Sequence, residues 1–157
     1  MRCTEKDIDK VHKILGSEDI FKAINGYDPA DDFKEHILKI LGNEKCYILM
    51  PHVDCAFIFT PMNTVAYEGH SQVLLQSRGR AAFKACKEAL EYMFTMTPCR
   101  KIIGFTPVCF PAAHAFNRYM GFRTEGLSQE SFKRQDVLYD QTVFGMTKDQ
   151  WFKRKGG

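Results

Sequence analysis

The chain has 157 residues, 45% apolar and 26% charged, which suits one domain whose core needs no disulfide or metal staple. That composition excludes collagen-like, coiled-coil and disordered classes. The formal charge of +3 comes from the stretch beginning at Lys148, because residues 1–70 hold 8 basic and 12 acidic side chains and residues 71–147 hold 10 and 6.

Taken in chain order, Thr4 and Asp7 read as a capping box. The helix they start carries Ile8, Val11, Ile14 and Leu15 on one face and stops at Gly16. A shorter helix is expected over 19–24, ending at Asn25-Gly26. Asp28-Pro29 then makes a cap and first turn, with Phe33, Ile37, Ile40 and Leu41 as an apolar stripe before Gly42. From there the period changes. Residues 46–50 and 55–60 read as short strands separated by Pro51-His52-Val53-Asp54, and 64–75 as a longer third antiparallel strand. The next helix turns Phe83, Cys86, Leu90 and Phe94 inward and Lys84, Lys87, Glu88 and Glu91 outward. Residues 101–108 form a strand, 111–120 a helix stopped by Gly121, and 122–126 and 137–146 the closing strands. This order is that of a mixed α/β (α+β) domain.

Cys3, Cys46, Cys55, Cys86, Cys99 and Cys109 form no CxxC pair and have no histidine at zinc-ligand spacing, so reduced structural thiols and no metal are expected. The charged N-terminus lacks the apolar run of a signal peptide, which points to the cytoplasm. Pro51, His52, Asp54 and Pro61 interrupt the most apolar stretch, so no membrane span is expected.

Chemistry concentrates where the third strand runs through Gln76-Ser77-Arg78-Gly79-Arg80-Ala81 into a helix. Small residues at 79 and 81 let a ligand approach the backbone. The free amides of a helix start favour an anion such as a pyrophosphate, with Arg78 and Arg80 adding charge. The residues alone equally allow a solvated turn.

That segment resembles the acyl-CoA signature Q/R-x-x-G-x-G/A of the GCN5-related N-acetyltransferase (GNAT) superfamily. Further similarities follow in the same order. Thr4-Glu5-Lys6-Asp7-Ile8 is similar to that family's first strand-to-helix junction. Ala112, Ala115 and Tyr119-Met120-Gly121-Phe122 are similar to its late helix, and Arg123-Thr124-Glu125-Gly126 with the strand before Trp151 to its end. Glu68-Gly69-His70 and the Pro107 loop look most like small phage-encoded members.

The resemblance implies a central mixed, mostly antiparallel sheet with a V-shaped split between its fourth and fifth strands, flanked by helices. It spans a single domain over 1–152, with 153–157 as a basic flexible tail. It implies acetyl-CoA (coenzyme A) as co-substrate and direct attack on it by a primary amine. Val73, Leu74 and Leu75 would pair with pantetheine, and Gln76, Ser77, Arg78, Gly79, Arg80, Ala81 and Ala82 would hold the pyrophosphate.

An attacking amine must be neutral, so a base or water relay is expected. Glu68 and His70 share a face of their strand, with Gln72 next in line. Histidine titrates near neutrality and a half-buried glutamate can be tuned upward; the same pattern also fits a sheet histidine and a glutamate paired across the strand. Where many members carry a tyrosine to protonate the departing thiolate, this chain has Asn117. Tyr119 lies about 200° around the helix from it. Asp19, Asp28, Asp31 and Asp32 would form an acceptor side suited to a cationic small-molecule amine or a basic peptide, or act simply as caps and solvated surface. A homodimer stays open. Two other readings remain: a CoA-binding or protein-interaction module without catalysis, and nucleic-acid binding through Lys153-Arg154-Lys155 beside Trp151 and Phe152.

Overall fold

The computed structural model describes residues 1–17 and 32–156. The helix expected over 19–24, the Asp28-Pro29 cap, and Asp19, Asp28 and Asp31 lie outside them. Thr4 N–H donates to Asp7 Oδ2 at 3.0 Å, closing the capping box with Asp in place of the usual Glu. A 3₁₀ turn over Glu5–Asp7 then leads into α1 (Ile8–Leu15). Its buried Val11, Ile14 and Leu15 pack with Ile37 of α2 (Asp32–Leu41) and with Ile48 and Ala56 of the sheet below.

Six strands form that sheet: β1 (Tyr47–His52), β2 (Cys55–Pro61), β3 (Ala66–Val73), β4 (Lys101–Pro107), β5 (Arg123–Arg134) and β6 (Val137–Thr147). Their order is β1-β2-β3-β4-β6-β5. Every neighbouring pair is antiparallel except β3 with β4. The two-residue alternation of β2 divides the core: Ala56 and Ile58 face α1 and α2, while Phe57 and Phe59 face the opposite layer. That second layer holds α3 (Arg80–Met96), α4 (Pro111–Met120) and α5 (Lys148–Lys155). Ala85, Ala89, Leu90, Met93 and Phe94 of α3 are buried there.

Several sequence expectations are corrected. The family's first strand is reduced to a bridge between Arg2 and Leu49, so β3 and β4 are the fourth and fifth strands of the resemblance. The first hairpin strand runs through Pro51 and His52; β1 is a sheet edge with a register shift between Leu49 and His52, where proline costs no ladder bond. β5 extends from Arg123 to Arg134 instead of stopping near Gly126. It is largely exposed and carries two register shifts, so no period-two apolar pattern marks it.

The stretch expected as a flexible basic tail is helical through Lys155. Thr147 and Gln150 form a capping box, with Gln150 N–H donating to Thr147 Oγ1 at 3.2 Å and Thr147 N–H to Gln150 Oε1 at 2.9 Å. Trp151 is 3% exposed and lies against Phe94. Glu91, expected to face solvent, accepts from Trp151 Nε1 at 3.0 Å and from Lys155 Nζ at 2.7 Å. Arg154 donates to Tyr119 O. The indole is thus buried and Arg154 and Lys155 are engaged within the fold, while Phe152 and Lys153 stay exposed.

Candidate active site

β3 and β4 pair at only three positions, Ala66↔Lys101, Tyr67↔Ile102 and Glu68↔Ile103. Beyond these, β3 stays paired to β2 as far as Val73, and β4 to β6 as far as Pro107. The two strands therefore diverge, and each arm keeps backbone N–H and C=O groups with no partner across the gap. This is the V-shaped split. Gly69 sits at its apex, where an added Cβ would lie 3.0 Å from Ile102 Cγ2 and 3.2 Å from Phe59 Cε1. A side chain there would have to push Ile102 or Phe59 aside by a few tenths of an ångström.

At the end of the β3 arm, Leu74 is buried under α1 and a 3₁₀ turn spans Leu75–Ser77. Gly79, the residue before α3, has φ 104° and ψ −131°, a region that side chains rarely enter. A Cβ built on it meets nothing within 4 Å, so the space before the helix is open. No side chain caps α3, which leaves the amides of Arg80, Ala81 and Ala82 free for an anion. The arrangement fits a pyrophosphate bound through the backbone. Leu75, Gln76, Arg78 and Arg80 are exposed and Val73 and Ala81 half-buried. Leu74 and Ala82 are buried in the core, so their side chains pack and only their backbone is available. Ser77 is 8% exposed and its hydroxyl donates to Asp54 Oδ2 at 2.7 Å, which turns it away from the open side.

Glu68 and His70 stand opposite Thr60 and Ile58, on the sheet face that α1 covers in part. They lie next to the apex glycine, and His70 Nε2 is 3.1 Å from Glu68 Oε1, at 44% and 32% side-chain exposure. The hydrogen bond from His70 holds the Glu68 carboxyl below its usual range, outweighing the upward push of burial. This reverses the expectation that Glu68 is tuned upward. An ionised carboxylate only accepts, so Nε2 carries the hydrogen at this contact, and in a neutral ring Nδ1 is then the acceptor.

On the opposite face, Asn117 Nδ2 donates to Thr106 Oγ1 at 2.9 Å, on the diverging arm of β4. His114, one turn earlier on α4, lies 3.1 Å from Pro107 O and edge-on to Phe144. Thr106 and His114 escaped sequence reasoning because neither belongs to a motif. Tyr119 is 55% exposed and rests on Phe83, with ring centroids 4.1 Å apart, away from the arm that Asn117 meets. Burial pushes the thiols of Cys55 and Cys99 up to about 11 and that of Cys86 up to about 12, and raises Cys3 and Cys46, so these five are poor nucleophiles. Among the described residues no group of three or more His, Cys, Asp or Glu is placed to hold a metal, and no helix is long and apolar enough to cross a membrane.

No protein-family model matches the sequence, and no curated protein matches it at sequence level. Solved structures do match. A point mutant of the spermidine N-acetyltransferase SpeG from Vibrio cholerae has a TM-score of 0.79 at 17% identity, over 98% of this chain and 95% of that one. The Vibrio cholerae spermidine N-acetyltransferase in complex with CoA and spermine has a TM-score of 0.80 at 17% identity, over 97% and 96%. A chimera of the Vibrio cholerae enzyme and hSSAT also has a TM-score of 0.80 at 17% identity, over 98% and 97%. With the split between β3 and β4 and the glycine turn entering α3, the chain has the fold of the GCN5-related N-acetyltransferases.

Proposed function

We propose that this protein is an acyl-CoA-dependent N-acyltransferase that moves an acetyl group from acetyl-CoA to a primary amine. The observation that carries the reading is the continuity of the split with the Gly79 turn: the unpaired β3 arm leads directly to uncapped amides at the start of α3. The arm offers partners for pantetheine amides, and the turn offers a seat for the pyrophosphate. Acetyl-CoA supplies an activated thioester carbonyl.

The chain's own residues then have three tasks. An N–H of the β3 arm stabilises the charge that develops on the carbonyl oxygen. His70 takes the ammonium proton at Nδ1, directly or through one water, and Glu68 fixes its tautomer. The amine nitrogen forms the new C–N bond as the C–S bond breaks, and its second proton passes to the departing thiolate or to water. No cysteine is used.

The CoA and spermine bound by one structural neighbour favour a small cationic amine as acceptor here. The acidic residues between 19 and 32 supply a suitable charge. The reduced cysteines favour the cytoplasm. A second reading is favoured by Asn117, which occupies the position of the family's tyrosine and is engaged by Thr106: a CoA-binding module without turnover. The test is a thermal unfolding series with CoA, followed by acetyl-CoA turnover on polyamines, amino acids and peptide N-termini. CoA stabilisation with turnover supports the enzyme, stabilisation without turnover on any amine supports the module, and no stabilisation ends both.

A further inference from the structure

The hairpin turn between β1 and β2 reaches the cofactor turn from 23 residues away in the chain. Its Asp54 makes three hydrogen bonds. The Asp54 N–H donates to His52 Nδ1 at 3.3 Å, its C=O accepts from Leu74 N–H at 3.0 Å, and Oδ2 accepts the Ser77 hydroxyl at 2.7 Å. The last two bracket the Leu75–Ser77 turn at either end. Ser77 is buried, so its hydroxyl needs a partner, and a carboxylate makes that bond a charge-assisted one.

We propose that Asp54 is a positioning residue of the acyl-CoA site, holding Leu74 to Ser77 so that the free amides of Arg80, Ala81 and Ala82 at the start of α3 converge on one point. The inference rests on the acyl-CoA reading above. Its physical basis is the glycine that follows. Gly79 gives the chain no local stiffness, and a seat made of backbone amides binds only as well as those amides are aligned beforehand. The turn's own bonds, Ser77 N–H to Leu74 O at 3.0 Å and Arg78 N–H to Leu75 O at 3.2 Å, hold it only to itself, so its place against the sheet is fixed from outside. Asp54 does this from a neighbouring hairpin without occupying the open space before α3.

Titration calorimetry with CoA tests this on the full-length protein and on Asp54→Ala, Asp54→Asn, Ser77→Ala and the Asp54→Ala/Ser77→Ala double variant. The loss of one hydrogen bond to a charged group predicts a Kd about tenfold higher in each alanine variant. The double variant weakens no further than either single one, since both remove the same bond. Asp54→Asn keeps an acceptor oxygen and stays within about threefold of wild type. Amide exchange over residues 77–82, measured without ligand, speeds up in both single alanine variants and not in Asp54→Asn. A wild-type Kd in Asp54→Ala and Ser77→Ala, or fully additive losses, overturns the inference while leaving the cofactor site intact. No binding of CoA by the wild-type protein overturns the cofactor reading and this inference with it.

Discussion

Gly79 is the position where a single substitution separates backbone need from ligand need. Its φ of 104° and ψ of −131° lie where a side chain is strained, yet a Cβ there meets no atom within 4 Å. Gly79→Ala therefore costs conformational strain and no clash, about 1–3 kcal/mol. For a chain of this length each kcal/mol lowers Tm by about 2–4 °C, so the ligand-free protein should melt about 2–12 °C earlier. Gly79→Asp carries the same strain and also places a carboxylate in the space assigned to the pyrophosphate. CoA at a hundredfold excess over its Kd adds about 2.7 kcal/mol to the wild type, a rise of about 5–11 °C. That rise should vanish in Gly79→Asp and shrink in Gly79→Ala as the turn shifts to relieve its strain. The assay is thermal unfolding of all three proteins with and without CoA. An unchanged Tm in ligand-free Gly79→Ala would refute the backbone argument. A full CoA-induced rise in Gly79→Asp would refute the placement of the cofactor.

Three further outcomes are expected. His70→Gln should lower kcat by about 10²–10⁴-fold while leaving the CoA Kd unchanged; an unaltered rate with a working acceptor removes the base from His70. Trp151→Ala should cost about 3–5 kcal/mol in urea unfolding, because the indole is a core group under α3; a loss below about 1 kcal/mol would make the last helix an appendage after all. The Glu91 carboxyl is held below its usual value near 4.5, first by the hydrogen bond from Lys155. Its contribution is therefore complete above about pH 4.5 and lost as pH falls through the lowered folded value. Glu91 is more than a third exposed, so that contribution stays below about 1 kcal/mol. In a series of melts from pH 7 to 3, Glu91→Gln should show a flatter decline than wild type, and a parallel decline would exclude the linkage.

Some of this architecture was legible because local and tertiary signals agree. α4 runs from Pro111 to Met120 and ends at a left-handed Gly121, as a proline at the first turn and a glycine after the last one require. The shared face of Glu68 and His70 follows from two-residue spacing alone. Their mutual pairing does not, since period says which side a residue takes and nothing about its partner. α5 escaped notice because Trp151 is its one buried residue, which leaves no stripe to detect. Its start was nevertheless written in Thr147 and Gln150, three apart. The hold of Asp54 on Ser77 is a tertiary contact between separate turns, and no local pattern encodes it.

The three-pair ladder between β3 and β4 has a consequence for the molecule as a material. Each of its other seams is stitched along most of a strand, so the sheet is two stiff panels, β1-β2-β3 and β4-β6-β5, sewn together along one short edge. A ligand whose amides bridge the open arms takes the place of the absent stitching. On the acyltransferase reading the co-substrate would work as a temporary structural member, and its departure after each turnover would return the sheet to a single short seam between the panels.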